Sequence, residues 1–201
     1  MKQIEITVKV KNTLSEVDKI LTDNGFKIIR KSIIKDEYMC LDHIKKDITK
    51  DKIIDCLNNS VLIRYLNISG NEYKKITYKE KKYDESGMVI SEEKVNVSID
   101  DISNAIKLFQ KLKFDHLVSV NYSVVVYSNG EYEFAFQNVE NLGLLLEFEN
   151  NKDFSNSSNN QIKKEKEKML NILKEYNLSV SEDYDINKAY ELILIELSIY
   201  D

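Results

Sequence analysis

The chain opens with a strict alternation of polar and apolar residues, which is the pattern of a β-strand with one buried face. Ile4, Ile6, Val8 and Val10 fall on one side of residues 3–10, and polar or charged residues fall on the other. Seven further segments show strand character, and groups rich in Gly, Asn and Ser separate several of them. The predicted strands are 3–10, 26–39, 60–68, 73–83, 88–99, 117–127, 131–138 and 143–149.

Apolar residues at helical spacing predict helices between and after these strands. Thr13, followed three positions later by Glu16, is the signature of a capping box and marks a helix start. The KKEKEK run at 163–168 is interpreted as the solvated face of a helix. The predicted helices are 13–24, 49–58, 100–112 and a C-terminal helical part from about 161 to 199, whose last helix covers 186–199.

Composition narrows the class of protein. With 201 residues and 42% hydrophobic residues, the chain is expected to form one domain, 1–201, with a real core. A net charge of −5 argues against binding to nucleic acid or to a membrane surface. No apolar run approaches the roughly 18 residues of a membrane span. Cys40 and Cys56 lack any metal-binding spacing, so reduced thiols and a cytoplasmic location are expected.

Charged side chains line one face of several predicted strands. Lys75, Thr77, Lys79 and Lys81 share one side of the strand 73–83. Two architectures fit this pattern. In the first, apolar faces meet inside a sandwich or barrel and the charges face solvent. In the second, helices cover the apolar faces and the polar faces line the interior of a barrel.

The strongest motif is Val139-Glu-Asn-Leu-Gly143-Leu-Leu-Leu-Glu147-Phe-Glu149, of the form V-x-x-L-G-x-x-x-E-x-E. Together with the alternating first strand, an arginine-bearing strand and the segment Thr77-Tyr78-Lys79, this motif resembles the CYTH family, the triphosphate tunnel metalloenzymes. That family includes class IV adenylate cyclases, thiamine triphosphatases and inorganic triphosphatases. The resemblance covers about residues 2–150, and the helical tail also suits it.

The resemblance implies an α+β fold in which an eight-stranded antiparallel β-barrel, 2–150, forms a tunnel with helices packed outside. In the family, basic residues inside the tunnel bind a triphosphate and glutamates hold Mg²⁺ or Mn²⁺. The expected partner is therefore a nucleotide or polyphosphate, and a homodimer is compatible with the family. By matching positions, the expected phosphate-binding residues are Arg64, Lys75, Lys79, Lys81 and Lys94. The expected metal ligands are Glu5, Glu92, Glu147 and Glu149.

The chain departs from the family pattern at several of its charged positions. The family's E-x-E-x-K signature falls on Gln3, Glu5 and Thr7, whereas a frame shifted by two gives Glu5, Thr7 and Lys9. Lys9, the lysine that survives in this second frame, is the candidate catalytic residue. The strand 120–127, which carries basic residues in the family, has no charge, and Gln137 replaces a common acid.

Two hypotheses from different classes stay open. The first is a metal-dependent cyclase or triphosphatase. The second is a binding module with a degenerate catalytic set and weak or no turnover. Each site residue also has a structural interpretation: Arg64 as an ion-paired residue, and Lys75 and Lys81 as ordinary exposed lysines. His43 and His116 have no partner at a recognisable spacing.

Overall fold

The computed structural model describes residues 3–46, 48–83 and 89–200, and it shows an α+β fold with an eight-stranded antiparallel sheet. The strands are β1 (Ile4–Lys9), β2 (Lys27–Leu41), β3 (Ser60–Ile68), β4 (Asn71–Tyr83), β5 (Val89–Ser98), β6 (Phe114–Ser128), β7 (Glu133–Val139) and β8 (Gly143–Asn150). The α-helices are α1 (Leu14–Asp23), α2 (Asp42–Lys46), α3 (Ile53–Asn58), α4 (Ile102–Lys111), α5 (Asn159–Glu175) and α6 (Lys188–Tyr200).

The eight strands follow the order β1-β8-β7-β6-β2-β3-β4-β5, with β1 and β5 as the two ends. Over the described residues no ladder joins these ends, so the sheet is not closed by hydrogen bonds, and the closed barrel remains a prediction. The outer edge of β1 is occupied by the segment 179–186. Thr7 donates its amide to Tyr184 and Lys9 accepts from the amide of Ser181, 2.8 and 2.9 Å respectively.

The described residues form two compact units, and each is described here by itself. The first consists of residues 3–31, 123–139 and 143–186. Its core is built from the apolar faces of β1, β7 and β8: Ile6, Phe134 and Leu146 are fully buried. Phe134 stacks 5.0 Å from Phe26 and meets Phe148 edge-on at the same distance. Buried residues of α1 and α5 complete this core, so helices cover the apolar face, as the second predicted architecture requires.

The second unit consists of residues 32–46, 48–83, 89–122, 140–142 and 187–200. Met39 of β2, Ile63 of β3 and Ala105 of α4 form its core, and Phe109 packs edge-on against Phe114 at 5.3 Å. Side chains alternate along a strand. Since Ile63 points towards α4, its neighbour Arg64 lies on the opposite face of the sheet, together with its partners Asp36 on β2 and Lys75 on β4.

Most predicted elements are present, with ends displaced by a few residues. Thr13 and Glu16 form the predicted capping box, with the Glu16 amide donating to Thr13 Oγ1 at 3.3 Å. The segment 49–58 folds as a short 3₁₀ turn, Lys50–Lys52, followed by α3. The helix α2 was not predicted, because its five residues are too few to show a helical period. None of the described helices combines the length and apolar character needed to cross a bilayer.

The interpretation of the KKEKEK run as wholly solvated is wrong at one position. Lys166 is buried, with 6% of its surface exposed, and its ammonium group pairs with Asp185. Its Nζ also lies 5.9 Å from the centre of the Tyr184 ring. The buried charge therefore has an anionic partner, and the contact fixes the segment that borders β1.

Candidate metal and phosphate sites

Glu5, Glu147 and Glu149 come together in the first unit. One carboxylate oxygen of each lies within 4.8 Å of those of the other two, and we call these residues the acidic group. The β1–β8 register explains their meeting, because Glu5 pairs directly with Glu149, and Glu147 pairs with Thr7 two rows further along, on the same face. Residues paired across an antiparallel ladder share a face. Glu147 is half-buried, whereas Glu5 and Glu149 are exposed.

Gln137 adjoins the acidic group from β7 and is buried, with 4% of its surface exposed. Its Nε2 donates a hydrogen bond to Glu147 Oε2 at 2.9 Å. A carboxylate at this position would place a second negative charge beside Glu147, whereas the amide of Gln137 donates a hydrogen bond to it. Gln137 therefore orients Glu147 without adding charge to the acidic group.

Thr7 and Lys9 follow Glu5 along the same face of β1. Thr7 is 7% exposed and pairs with Glu147, while Lys9 is exposed and pairs with Leu145. Lys9 is fixed through its backbone, since its amide donates to Ser181 Oγ at 3.0 Å. The candidate catalytic lysine is thus two ladder rows beyond Glu147, next to a fully buried leucine.

A groove of about 730 Å³ passes Glu147 and Glu149 in the same unit. Its lining includes Arg30 of β2, which sequence reasoning did not select because nothing in the motif points to it. Tyr132, Met169 and Ile172 give it an apolar side. The acidic group is therefore bordered by open space large enough for a small-molecule ligand.

Four of the five predicted phosphate-binding residues can be placed on the polar face of the second unit. Lys75 pairs with Arg64, and Lys79 pairs with Lys94 across β4 and β5; we call these four residues the basic face. Burial lowers the pKa of Lys75, and the positive charges of Arg64 and Lys94 lower it further. Such mutual repulsion favours the binding of an anion. The backbones of Lys81 and Glu92 pair with each other, but their side chains lie outside the described residues.

Arg64 is held by an acidic residue that the sequence did not suggest. Asp36 is 2% exposed and accepts two hydrogen bonds, from Arg64 Nε at 2.7 Å and from Nη2 at 2.5 Å. Burial by itself would lower the pKa of Arg64, but the hydrogen bonds and charge of Asp36 outweigh it, so the pKa is raised. Arg64 Nη2 also donates to the hydroxyl of Tyr122 at 3.4 Å. The ion-paired interpretation of Arg64 is therefore confirmed, and its place on the basic face is compatible with it.

A small cavity of about 60 Å³ lies beside Lys79. Hydrogen-bonding side chains dominate its lining, among them Thr77, Tyr38 and Asn58, and α6 contributes through Ala189 and the preceding Asn187. Thr77 donates to Asn96 Oδ1 at 2.9 Å, which keeps its hydroxyl fixed. The cavity is large enough to hold ordered water.

His116 has partners that its sequence neighbourhood does not reveal. Its Nε2 lies 3.1 Å from Glu37 Oε2 and 2.9 Å from Ser119 Oγ, and Ser119 in turn donates to Glu37 at 2.6 Å. The hydrogen bond between His116 and Glu37 raises the pKa of the histidine and lowers the pKa of the glutamate. The three side chains therefore form a hydrogen-bonded cluster between β2 and β6.

A comparison with known proteins identifies the family to which this chain belongs. No family model matches the chain. A Methanocaldococcus jannaschii protein named "Putative adenylate cyclase MJ0240" is 30% identical over 190 residues, which cover 94% of this chain and 97% of that protein.

Solved structures show the same fold at lower identity. The PH1819 protein of Pyrococcus horikoshii superposes with a TM-score of 0.69 at 22% identity, covering 97% of this chain and 99% of the other. A Hippeastrum protein described as a "putative adenylyl cyclase" with a dominant triphosphatase activity gives a TM-score of 0.57 at 12% identity, covering 97% and 96%. The match to the archaeal relative over nearly the whole of both chains confirms the resemblance found at residues 139–149, and the chain belongs to the CYTH family of adenylate cyclase-like proteins.

Proposed function

We propose that the protein binds a triphosphate, either a nucleoside triphosphate or inorganic tripolyphosphate, together with Mg²⁺ or Mn²⁺, and turns it over weakly or not at all. The acidic group carries this proposal, since its three carboxylates offer oxygens within 4.8 Å of one another. Carboxylate oxygens are the ligands that hard divalent cations take. The donor set therefore fits Mg²⁺ or Mn²⁺, with Glu5, Glu147 and Glu149 as the ligands.

Each set of residues has a distinct task in this proposal. A bound divalent ion would offset the negative charge of the phosphoryl oxygens and polarise them. Gln137 would hold the Glu147 carboxylate in position through its 2.9 Å hydrogen bond. The basic face supports the proposal by itself: within the second unit its lysines would donate charge-assisted hydrogen bonds to phosphoryl oxygens. Asp36 would keep the Arg64 guanidinium in one orientation, because both of its carboxylate oxygens accept from it.

Weak turnover follows from the positions at which charge is missing. Thr7 stands where one frame of the family signature has a lysine, and Gln137 stands where an acid is common. The strand 120–127 carries no charge. Removing one preorganised donor from a developing negative charge costs about 10²–10³ in rate in enzymes where it has been tested. Affinity survives such losses better, because it sums over many contacts.

Active triphosphate hydrolysis or cyclisation is the second candidate. The retained acidic group favours it, since the metal site is the part of the machinery that any turnover needs. The names of two similar proteins suggest the products to measure: cyclic AMP for a cyclase, and phosphate or pyrophosphate for a triphosphatase.

Thermal unfolding with defined ligands tests the binding proposal. The purified chain is heated with tripolyphosphate, ATP, thiamine triphosphate or pyrophosphate, each with and without Mn²⁺. A ligand at a hundred times its dissociation constant stabilises the folded state by about 2.7 kcal/mol. For a chain of this size that corresponds to a rise in Tm of roughly 5–11 °C. No rise with any triphosphate in the presence of Mn²⁺ would refute the proposal.

A matched pair of variants assigns the metal. Glu147→Gln removes one carboxylate of the acidic group, and Glu175→Gln removes an exposed carboxylate from α5 as the control. We expect the first to abolish the Mn²⁺-dependent part of the Tm rise and the second to leave it unchanged. In the same samples, rapid Mn²⁺-dependent release of cyclic AMP or phosphate that Glu147→Gln abolishes would favour the second candidate.

A further inference from the structure

A segment of the first unit, residues 179–186, lies along the outer edge of β1, and we call it the strap. Two of its hydrogen bonds enclose Thr7: the Thr7 amide donates to the carbonyl of Tyr184 at 2.8 Å, and the Thr7 carbonyl accepts from the amide of Ile186 at 3.1 Å. Asp185 stands between these two strap residues and forms a parallel bridge with Thr7. β1 is therefore held on both sides, by the β8 ladder and by the strap.

Lys166 of α5 binds the strap at this point. Its ammonium group pairs with the Asp185 carboxylate and lies 5.9 Å from the centre of the Tyr184 ring. Only 7% of the Lys166 side chain is exposed, whereas the Asp185 side chain is 44% exposed. Apolar residues can fill such a site without loss of stability, but they do not fix the position of the neighbouring segment as an ion pair with a defined partner does.

The geometry of the acidic group depends on the position of β1. Glu5 comes from β1, whereas Glu147 and Glu149 come from β8. Thr7, the residue that the strap holds, is two positions after Glu5 and pairs with Glu147 across the ladder. A displacement of β1 relative to β8 would therefore change the distances between the Glu5 carboxylate and the other two. Metal ions bind most tightly to ligands that the surrounding residues already hold in place.

We propose that Lys166 is a positioning residue for the acidic group, an inference that rests on the proposed function. Lys166 acts through Asp185 and the strap, which hold β1 at the distance from β8 that the acidic group requires. It is not itself a ligand, because a charged ammonium group has no acceptor. Coupling between two sites is reciprocal, so a bound metal ion also holds the strap more firmly.

Calorimetric titration of the full chain with Mn²⁺, alone and in the presence of inorganic tripolyphosphate, tests this role. Lys166→Met removes the charge and keeps much of the side-chain length, and Lys166→Arg keeps the charge. Lys174→Met is the matched control. Lys174 belongs to the same helix and pairs with Glu182 of the strap at 2.8 Å, but the two side chains are 42% and 81% exposed. Exposed ion pairs contribute little to stability.

We expect Lys166→Met to weaken Mn²⁺ binding by roughly 10-fold, the lower end of the range for residues that orient metal ligands. Lys166→Arg should bind within about threefold of the unchanged chain, and Lys174→Met within about twofold. If Lys166→Met loses its fold, Lys166→Gln takes its place with the same expectation.

A destabilised variant of the second unit separates this role from a general loss of stability. Ile53 of α3 is fully buried, so Ile53→Ala leaves a cavity and lowers Tm. We expect its Mn²⁺ affinity to stay within about twofold of the unchanged chain. If Mn²⁺ affinity falls as far in Ile53→Ala as in Lys166→Met, the inference is overturned, because loss of stability alone would then be the cause.

Hydrogen exchange measures the strap directly, since the amides of Thr7 and Ile186 join it to β1. In Lys166→Met both amides should exchange faster than in the unchanged chain, because local opening of the strap requires less free energy. In the unchanged chain Mn²⁺ should slow the exchange of both. The inference is overturned if either the substitution or Mn²⁺ leaves the exchange of both amides unchanged.

The two proposals fail in different ways. If the unchanged chain binds Mn²⁺ and Lys166→Met binds it within about twofold, the role of Lys166 is refuted and the proposed function stands. If the unchanged chain binds no Mn²⁺, with or without tripolyphosphate, both are refuted.

Discussion

The ion pair between Arg64 and Asp36 allows a quantitative prediction about stability. The side chains of these residues are 20% and 3% exposed, and two hydrogen bonds of 2.7 and 2.5 Å join them. Arg64→Met would leave the Asp36 carboxylate buried without its cation. Asp36→Asn would keep one oxygen as acceptor for Arg64, but it would remove the negative charge and replace the second acceptor by an amide NH2 group.

The expected decrease in the free energy of unfolding is large for a single substitution. Removing one partner of a buried ion pair destabilises a protein by about 3–5 kcal/mol, because the remaining charge is left uncompensated. For a chain of about 200 residues, each 1 kcal/mol lowers Tm by roughly 2–4 °C, so Arg64→Met should lower it by roughly 6–20 °C. Asp36→Asn should cost less. The double variant Arg64→Met/Asp36→Leu should recover part of the loss, since an apolar pair can replace a buried ion pair at little cost.

Equilibrium unfolding in urea and by heating, for Arg64→Met, Asp36→Leu and the double variant Arg64→Met/Asp36→Leu, measures the coupling between the two residues. Arg30→Met serves as control, because Arg30 is the only other arginine and is exposed. A decrease in Tm of 2 °C or less for Arg64→Met would refute the reasoning. Additive effects in the double variant would refute it as well, because residues in direct contact should couple by about 0.5–3 kcal/mol.

Three further predictions concern stability and metal affinity. The contact of His116 with Glu37 should stabilise the fold most between about pH 4.5 and 6.5. Its contribution is lost as pH rises through the raised pKa of the histidine, because the ring then loses its charge. It is also lost as pH falls through the lowered pKa of the glutamate, because the carboxylate is then protonated. The difference in Tm between the unchanged chain and His116→Gln across pH 3–9 measures this contribution, which solvent screening keeps to about 1 kcal/mol or less. Asp185→Asn should lower the free energy of unfolding in urea more than Lys166→Met does. Asp185→Asn leaves the buried ammonium group of Lys166 without its anion, whereas Lys166→Met leaves an Asp185 carboxylate that water can reach. The reverse order would contradict this reasoning. Gln137→Glu should increase Mn²⁺ affinity by calorimetry and lower the Tm of the metal-free chain, because it adds a fourth carboxylate to the acidic group; unchanged affinity would show that the side chain does not reach the ion.

Local patterns predicted the elements because they depend on residues close in sequence. The alternation of residues 3–10 correctly predicted which face of β1 is buried. The spacing of Thr13 and Glu16 correctly predicted where a helix begins. Glu147 and Glu149 were selected from one motif, and Glu5 from the phase of the first strand. Their meeting depends on the β1–β8 register, which follows once both strands bury their apolar faces.

The remaining features depend on contacts between residues distant in sequence. Asp36 and Arg64 are 28 positions apart, and no local pattern marks the aspartate as buried. Lys166 stands inside a charged run, where its burial cannot be distinguished from the exposure of its neighbours. In each case the partner across the fold decides the role of the charge.

The distribution of charge bears on the proposal that the chain binds a triphosphate but turns it over weakly. The chain carries a net charge of −5, yet the basic face brings four cations together with one buried acid, Asp36. A triphosphate has about four negative charges, so a face with this excess of cations would attract it. Affinity responds to the number of positive charges, whereas rate responds to donors placed at the transferring phosphoryl group.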